Sequence, residues 1–414
     1  MRLYIGLWLV VWPATDAWAQ KILTWDEAKR EFKATNPSLR AARIGIQEAR
    51  AEEITAHLRP NPFLTLAIDQ ITPFTGNPYR PFQFYLPSLA VDYLVERRHK
   101  RDLRLEGAQG ATAIATSQLA DQERTLLFDL RAAFVQVLEQ KAVLAVTRES
   151  LAYYDRMLEV SRDRLKVGDI AQVDLDRLEL QRVQFETDVQ TALVGLRTAK
   201  IQFRALLNDY TPIDKLDVIG PFDFQEPAMT PEQFRQAALD NRPDLRAAVE
   251  AVTKAETEYR LARANGSTDP VIGWNLGSEA PDIPTFMGVS VTIPLRIFDR
   301  NQGEKERTRL DIVHNKRLVD GTKAQIVSDV DSAYAVMQGN LTLLHPYKSR
   351  YLQQAVRVRE TISFSYQSGG SSLLDFLEAQ QNYRSIQLSY LNLVGAFLTA
   401  AAQMNLAVGS EVIQ

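Results

Sequence analysis

Two stretches of the sequence combine a glycine with acidic residues at the same spacing. In "RLKVGDIAQVD" Gly168 precedes Asp174 by six residues, and in "SYQSGGSSLLD" Gly369 precedes Asp375 by six. Asp375 and Glu378 are three residues apart, so on a helix they share one face. Carboxylates grouped in this way attract cations, whereas an Asp in the first turn of a helix is also favoured by the helix dipole alone. The sequence leaves both interpretations open.

The rest of the chain offers little for catalysis. It has 414 residues, 45% hydrophobic and 24% charged, with a net charge of −3 and no Cys. Disulfides, thiolate zinc sites and cysteine nucleophiles are therefore excluded. Nucleotide-binding loops are absent, and no basic face indicates nucleic acid. Nor does any histidine stand in a zinc-binding spacing; the four are His57, His99, His314 and His345. We therefore expect neither an enzyme nor a bound cofactor.

The N-terminus is typical of an exported protein. Arg2 precedes an apolar stretch at 3–12, and the small residues at 17–19 form a cleavage pattern. We predict a signal peptide over residues 1–19, because the apolar stretch is too short to span a bilayer. Among later segments the most apolar, from Leu393, is rich in Ala and interrupted by polar residues, so we expect no spanning helix.

The chain consists of two copies of one plan. "LTWDEAKREFKATNPSLRAA" at Leu23 aligns without gaps with "MTPEQFRQAALDNRPDLRAA" at Met229, and both copies begin with a capping box. We predict a first repeat over 20–207, a linker over 208–228 and a second repeat over 229–414. Each repeat should contain a helix, a β-hairpin and a long helical hairpin.

The predicted β-hairpins cover about 62–96 and 269–297, where apolar residues alternate with small or polar ones. Alternation over about ten residues fits a tilted strand that crosses a bilayer, although a half-buried soluble hairpin has the same pattern. One row of each hairpin is apolar, for example Leu64, Leu66 and Ile68, or Val289, Val291 and Ile293.

Beyond each hairpin the period becomes helical. No proline interrupts residues 97–167, and apolar residues recur every seven positions, at Leu130, Val137, Leu144, Leu151, Leu158 and Leu165. Such a repeat indicates helices that supercoil on their neighbours. Gly168 and Gly369 are then the tips of long antiparallel hairpins, because a tight closing turn favours Gly.

Four strands cannot close a transmembrane barrel, so a membrane barrel would have to be shared between chains. The double repeat, the glycine tips and "VSVTIPLRIFDRNQGEKER" at Val289 resemble the TolC family of outer-membrane efflux proteins, especially partners of resistance-nodulation-division pumps, including heavy-metal exporters. The resemblance implies a mainly α fold with a small β part. It also implies a homotrimer with a 12-stranded barrel in outer-membrane lipid, a large periplasmic part, a periplasmic adaptor and an inner-membrane pump.

The resemblance also implies roles for individual residues. Asp375 and Glu378 match acids that line the closed periplasmic entrance of the family, and Asp174 and Tyr366 match residues that hold the tips together by hydrogen bonding. Ser371 stands where the founding member has an Arg, so a lock built on that Arg is absent. The tips should dock on the adaptor through Lys166, Gly168, Asp169, Ser368, Gly369 and Gly370.

The function implied is a passive exit duct for heavy-metal cations or small toxic compounds. The alternative is a periplasmic coiled-coil adaptor or scaffold, which would share the heptads and the export signal. Aromatic residues near the hairpin ends favour the channel, since barrels carry aromatic girdles. These residues are Phe74, Tyr79, Phe82, Tyr85, Trp274 and Phe286.

Overall fold

A computed structural model describes residues 20–69, 86–279 and 283–413. The predicted signal peptide and the aromatic residues between 70 and 85 lie outside these ranges. The elements within them are β1 (Lys21–Leu23), α1 (Trp25–Thr35), α2 (Pro37–His57), β2 (Phe63–Asp69), β3 (Leu86–Leu94), α3 (Lys100–Lys166), α4 (Gln172–Leu206), β4 (Leu216–Val218), α5 (Pro231–Asn241), α6 (Pro243–Asn265), β5 (Val271–Glu279), β6 (Ile283–Thr292), α7 (Gln302–Pro346), α8 (Leu352–Gln367) and α9 (Leu373–Val408).

The long helices predicted for the first repeat are present. Helix α3 runs for 67 residues without interruption, and α4 returns for 35 residues. Most of the heptad side chains are buried, and Leu130, Val137 and Leu178 are fully so. The seven-residue period therefore reflects packing against neighbouring helices, as the sequence predicted.

Each repeat begins with two helices, whereas the sequence pattern predicts a single helix. Thr24 and Glu27 form the predicted capping box at the start of α1, and the matching hydrogen bonds precede α5. Pro37 and Pro243 then begin α2 and α6. Proline lacks an N–H group and disfavours a helical conformation in the residue before it, so one helix ends and another begins there.

The second repeat departs from the first within its long hairpin. Helix α7 ends at Pro346, and a five-residue π-helix over Tyr347–Tyr351 separates it from α8. Proline has no backbone N–H to donate, and the π-helix accommodates the hydrogen bond that is therefore missing. The linker packs at this point: Lys348 pairs with Asp223 at 2.5 Å and lies 4.8 Å from the ring centroid of Phe224.

The linker also contributes a short parallel pair that the sequence did not reveal. Strand β4 pairs with β1 over three residues. Asp217 of β4 lies 2.8 Å from the ammonium of Lys141 and 3.3 Å from that of Lys200. Burial opposes ionisation of this carboxyl, but the two lysines outweigh it and keep the pKa of Asp217 below its ordinary value.

The chain divides into two compact units, and each takes segments from both repeats. One unit comprises Met1–Pro37, Arg124–Phe234 and Val330–Gln414, and the other comprises Ser38–Glu123 and Arg235–Asp329. The first unit contains α9, the one helix of the described ranges that is long and apolar enough to cross a membrane. Because 61% of its most apolar window is buried within the protein, we interpret α9 as a core helix.

The second unit contains the four predicted strands, which form one antiparallel sheet in the order β2-β3-β5-β6. The central contact between β3 and β5 joins the two repeats. The register aligns the apolar rows across the whole sheet, so that Leu64, Val91, Trp274 and Val289 lie opposite one another.

Candidate functional site: the hairpin tips and the sheet

Both hairpin tips close with the same backbone motif. At the first tip the amide of Gly168 donates to Leu165 O at 3.0 Å, and the amide of Asp169 donates to Arg164 O at 2.9 Å. Gly369 and the residue after it make the matching bonds at the second tip. Gly168 and Gly369 have φ of +85° and +77°. These are Schellman turns, which place a residue in the left-handed region where a side chain is unfavourable.

The helices restart differently after the two tips. Ser372 caps α9: its Oγ accepts from the Asp375 amide at 3.2 Å, and the Asp375 carboxylate accepts from the Ser372 amide at 3.0 Å. The hydroxyl and the amide of Ser372 together keep the pKa of the exposed Asp375 below its usual value. In the first repeat Ala171 takes the cap position, so Asp174 lacks this partner and lies 3.7 Å from Arg177.

Tyr366, predicted to hold the tips together by hydrogen bonding, lies in the core of the tips. Only 4% of its surface is exposed, and its ring stacks on Phe376 at a centroid distance of 5.0 Å. Its hydroxyl has no hydrogen-bond partner among the residues that the structure describes. The neighbouring Tyr154 donates its hydroxyl to Leu178 O at 3.0 Å, and burial raises the pKa of that phenol.

Arg164, a residue for which the sequence predicted no role, links the two tips. Its Nη1 donates to Tyr366 O at 2.7 Å, and its guanidinium lies 5.2 Å from the centroid of that ring. Tyr366 O also accepts from the Gly369 amide that closes the second tip. The Nε of Arg164 lies 4.0 Å from the carboxylate of Asp169. Arg164 therefore joins the end of α3 to the second turn, across 202 positions of sequence.

The other predicted tip residues lie at the surface of the first unit. Lys166 pairs with Asp163 at 2.8 Å, and both side chains are 75% exposed. Glu378 is exposed one helical turn beyond Asp375. Ser371 donates to Ser365 Oγ at 2.6 Å within its own hairpin. The exposed backbone and side chains include Gly168, Asp169, Ser368, Gly369 and Gly370.

The sheet has one largely apolar face and one mixed face. The apolar face carries Leu64, Leu66, Ile68, Pro87, Leu89, Val91, Tyr93, Ile272, Trp274, Leu276, Met287, Val289 and Val291. The mixed face carries small and polar residues, including Thr65, Ser88, Asp92, Gly273, Asn275 and Ser290. Of the predicted aromatic girdle, Trp274 lies on the apolar face. Phe286 lies near the start of β6, as predicted, and belongs to the mixed face, where its ring covers Gly277.

Strands β2 and β6 form the edges of the sheet. Neither has a second partner strand within the described ranges. Both are apolar and exposed, with Leu66 and Val289 exposed by 71% and 76%. An edge of this kind invites another strand to pair with it.

Metal coordination has no obvious place in the part of the chain that the structure describes. Groups of three or more His, Cys, Asp or Glu side chains that could hold a metal ion are absent from it.

Comparison with known proteins shows which proteins the chain resembles. The family model described as "Outer membrane efflux protein" matches residues 234–410. The cobalt-zinc-cadmium resistance protein CzcC of Cupriavidus metallidurans is 21% identical over 402 residues, which cover 94% of this chain and 90% of CzcC. The outer membrane efflux protein BepC of Brucella suis is 20% identical, over 66% of this chain and 60% of BepC.

Solved structures share the fold. The outer-membrane channel OprN superposes with a TM-score of 0.77 at 14% identity, over 93% of this chain and 90% of OprN. CusC, which forms a transmembrane channel, gives a TM-score of 0.76 at 17% identity, over 93% of this chain and 92% of CusC. The family match covers the second repeat and the alignment with CzcC covers both repeats, so the chain is similar to outer-membrane efflux proteins over nearly its whole length.

Proposed function

We propose that three copies of this chain form the outer-membrane exit duct of a tripartite efflux system. The observation that carries the proposal is a four-stranded sheet with one apolar face and two open edges. In lipid, each unpaired backbone N–H and C=O on such an edge costs several kcal/mol. Three copies of the sheet, joined β2 to β6, would remove every edge and make a 12-stranded barrel.

A second apolar stripe on the helices supports self-association. Val173, Leu180, Val194 and Ile201 lie on α4 at multiples of seven residues, and they are 53%, 74%, 63% and 48% exposed. They lie apart from the buried heptad positions of the same helix, such as Leu178. A heptad stripe that its own chain leaves uncovered suits the helix of a neighbouring copy.

The oligomer is tested in detergent and in the membrane. We expect a heat-modifiable trimer in the outer-membrane fraction, and a trimeric mass by light scattering with the detergent contribution subtracted. Because the chain has no Cys, Val291→Cys should react with a lipid-soluble thiol reagent and Ser290→Cys with a water-soluble one. A monomeric mass would refute the closed barrel, and the reverse labelling pattern would refute the assigned faces.

Cargo would pass from an inner-membrane resistance-nodulation-division pump through a periplasmic adaptor docked on the tips. CzcC is named as a cobalt-zinc-cadmium resistance protein, and its similarity to this chain supports a heavy-metal cation as the cargo. Small toxic compounds are the other class of cargo. Deleting the gene and testing growth on cobalt, zinc and cadmium salts, and on antibiotics, would distinguish the two classes.

Docking can be separated from folding at Gly168. An added Cβ meets nothing within 4 Å, so only the φ of +85° resists a side chain. Asn tolerates this conformation better than other residues, so Gly168→Asn adds bulk while keeping the turn. We expect Gly168→Asn to leave trimers in the membrane and to abolish efflux. Normal efflux would show that the adaptor does not bind this tip.

The gate is proposed at the second tip. In a trimer Asp375 and Glu378 would form a ring of six carboxylates around a narrow entrance. Both side chains are exposed, which supports this role. Asp375 also has a structural role, because its carboxylate caps the start of α9. Asp375→Ala combined with Glu378→Ala should weaken block by multivalent cations in planar bilayers. Unchanged block would leave only the capping role.

A further inference from the structure

We propose that Asp92, on the mixed face of the sheet, makes the pore through the barrel selective for cations. The inference rests on the proposed function, because only a closed barrel turns this face into the wall of a pore. It concerns the membrane part of the duct, not the carboxylates at the tips.

The first observation is the charge of the strands. The residues that the structure describes in β2, β3, β5 and β6 include the acids Asp69 and Asp92, and none of them is Lys, Arg or His. A pore wall that carries acids and no bases raises the local concentration of cations and lowers that of anions. Three chains would multiply this imbalance threefold.

The second observation is the setting of Asp92. The register places it directly across from Gly273, which in turn lies across from Ser290. A Cβ at Gly273 would lie 2.5 Å from Asp92 Oδ1 and would collide with Ser290 Oγ. The missing side chain therefore opens a notch in which a carboxylate and a hydroxyl converge. Oxygen groups of this kind are suited to hard cations.

The third observation is that the charge of Asp92 is not compensated. Its carboxylate makes no hydrogen bond or ion pair with any residue that the structure describes. Nearby cations in the segment after β3 are engaged elsewhere: Lys100 lies 2.5 Å from Asp269, and Arg104 donates to Glu96 at 2.9 Å. The exposed Arg97 and Arg98 follow outside the strand.

The size of the effect depends on salt. The screening length is about 8 Å at 0.15 M salt and about 30 Å at 0.01 M, so a charge on the wall of a water-filled pore acts mainly at low ionic strength. A carboxylate about 8 Å from a permeating ion in water changes its occupancy roughly twofold, and three copies act together. We expect wild-type pores to favour potassium over chloride, increasingly so as the salt concentration falls.

The experiment measures reversal potentials in planar bilayers under a KCl gradient. It uses the Asp375→Ala, Glu378→Ala background, which removes the carboxylates proposed at the tips. Adding Asp92→Asn should lower the ratio of potassium to chloride permeability roughly twofold or more at low salt. Asp92→Glu, the matched control, should keep the ratio because it keeps the charge.

A second variant tests whether any loss of selectivity in Asp92→Asn comes from misfolding of that protein. The chain has no Cys, so Asp92→Cys provides a single thiol that can be labelled after the pore has inserted. An anionic thiosulfonate reagent should restore cation preference, and a cationic one should reverse it. If neither Asp92→Asn nor the label changes the ratio of potassium to chloride permeability, this inference alone is overturned. A wild-type protein that forms no conducting pore would overturn the proposed function and the inference with it.

Discussion

Replacing Arg164 with Ala should loosen the two hairpin tips from each other. The substitution removes a charge-assisted hydrogen bond of 2.7 Å to Tyr366 O and a cation–π contact of 5.2 Å. These interactions are worth about 1.5–3 and about 0.5–1 kcal/mol, and the Arg164 side chain is only 16% exposed, so solvent screens them little. The stack of Tyr366 on Phe376 remains. Together they amount to about 2–4 kcal/mol, so we expect the population of opened tips to rise about thirtyfold to several hundredfold.

Limited proteolysis of the purified protein measures this population, because cleavage follows the open fraction when opening and closing are fast. Cleavage sites are mapped by mass spectrometry to the tips. Arg162→Ala is the matched control: Arg162 pairs with Glu179 at 2.8 Å, but both side chains are about half exposed. Such surface pairs contribute about 0–1 kcal/mol, so this variant should change the rate less than about fivefold. Equal rates for the two variants would show that Arg164 does not couple the tips.

Three further outcomes follow from the tip geometry. Ala171→Ser should supply the cap that Ser372 provides in the other repeat and stabilise the start of α4 by about 1 kcal/mol, measured as a higher thermal midpoint. Tyr366→Phe should leave that midpoint unchanged or raise it, because the hydroxyl has no partner within the described chain; a fall would indicate a bond to a neighbouring copy. The pKa of Asp375 is lowered by Ser372, so its contribution is complete above the ordinary Asp value of 3.8 and is lost as the pH falls through the lower folded value. The protection of the amides at the start of α9 against hydrogen exchange, taken relative to their intrinsic rates at each pH, should therefore fall at acid pH in wild type, and much less so in Ser372→Ala.

The periodic features of the sequence predicted most of the fold. A heptad in α3 and a two-residue alternation in β2 record which side chains are buried or share a face, so local sequence is sufficient to identify them. The tip glycines were predictable for a similar reason, since a positive φ selects Gly. The cap on α9 was also accessible, because Ser372 and Asp375 have the spacing of a capping box.

Contacts between distant residues were not predictable in this way. Arg164 and Tyr366 are 202 positions apart, and nothing in the local pattern of either indicates the other. The pairing of β1 with β4 involves only three residues in each strand, too few to show a period. The position of Phe286 could have been found, because it lies an even number of residues from Ser290 and so shares its face.

The π-helix after Pro346 gives the two halves of the chain unequal mechanical properties. α3 is a single rod with an unbroken ladder of backbone hydrogen bonds, while its counterpart has a joint between α7 and α8. Interrupted ladders are where helices bend. In the proposed trimer, stiff and compliant hairpins would alternate around the ring. A motion of the assembled hairpins would then bend three of them at this joint and leave the other three straight.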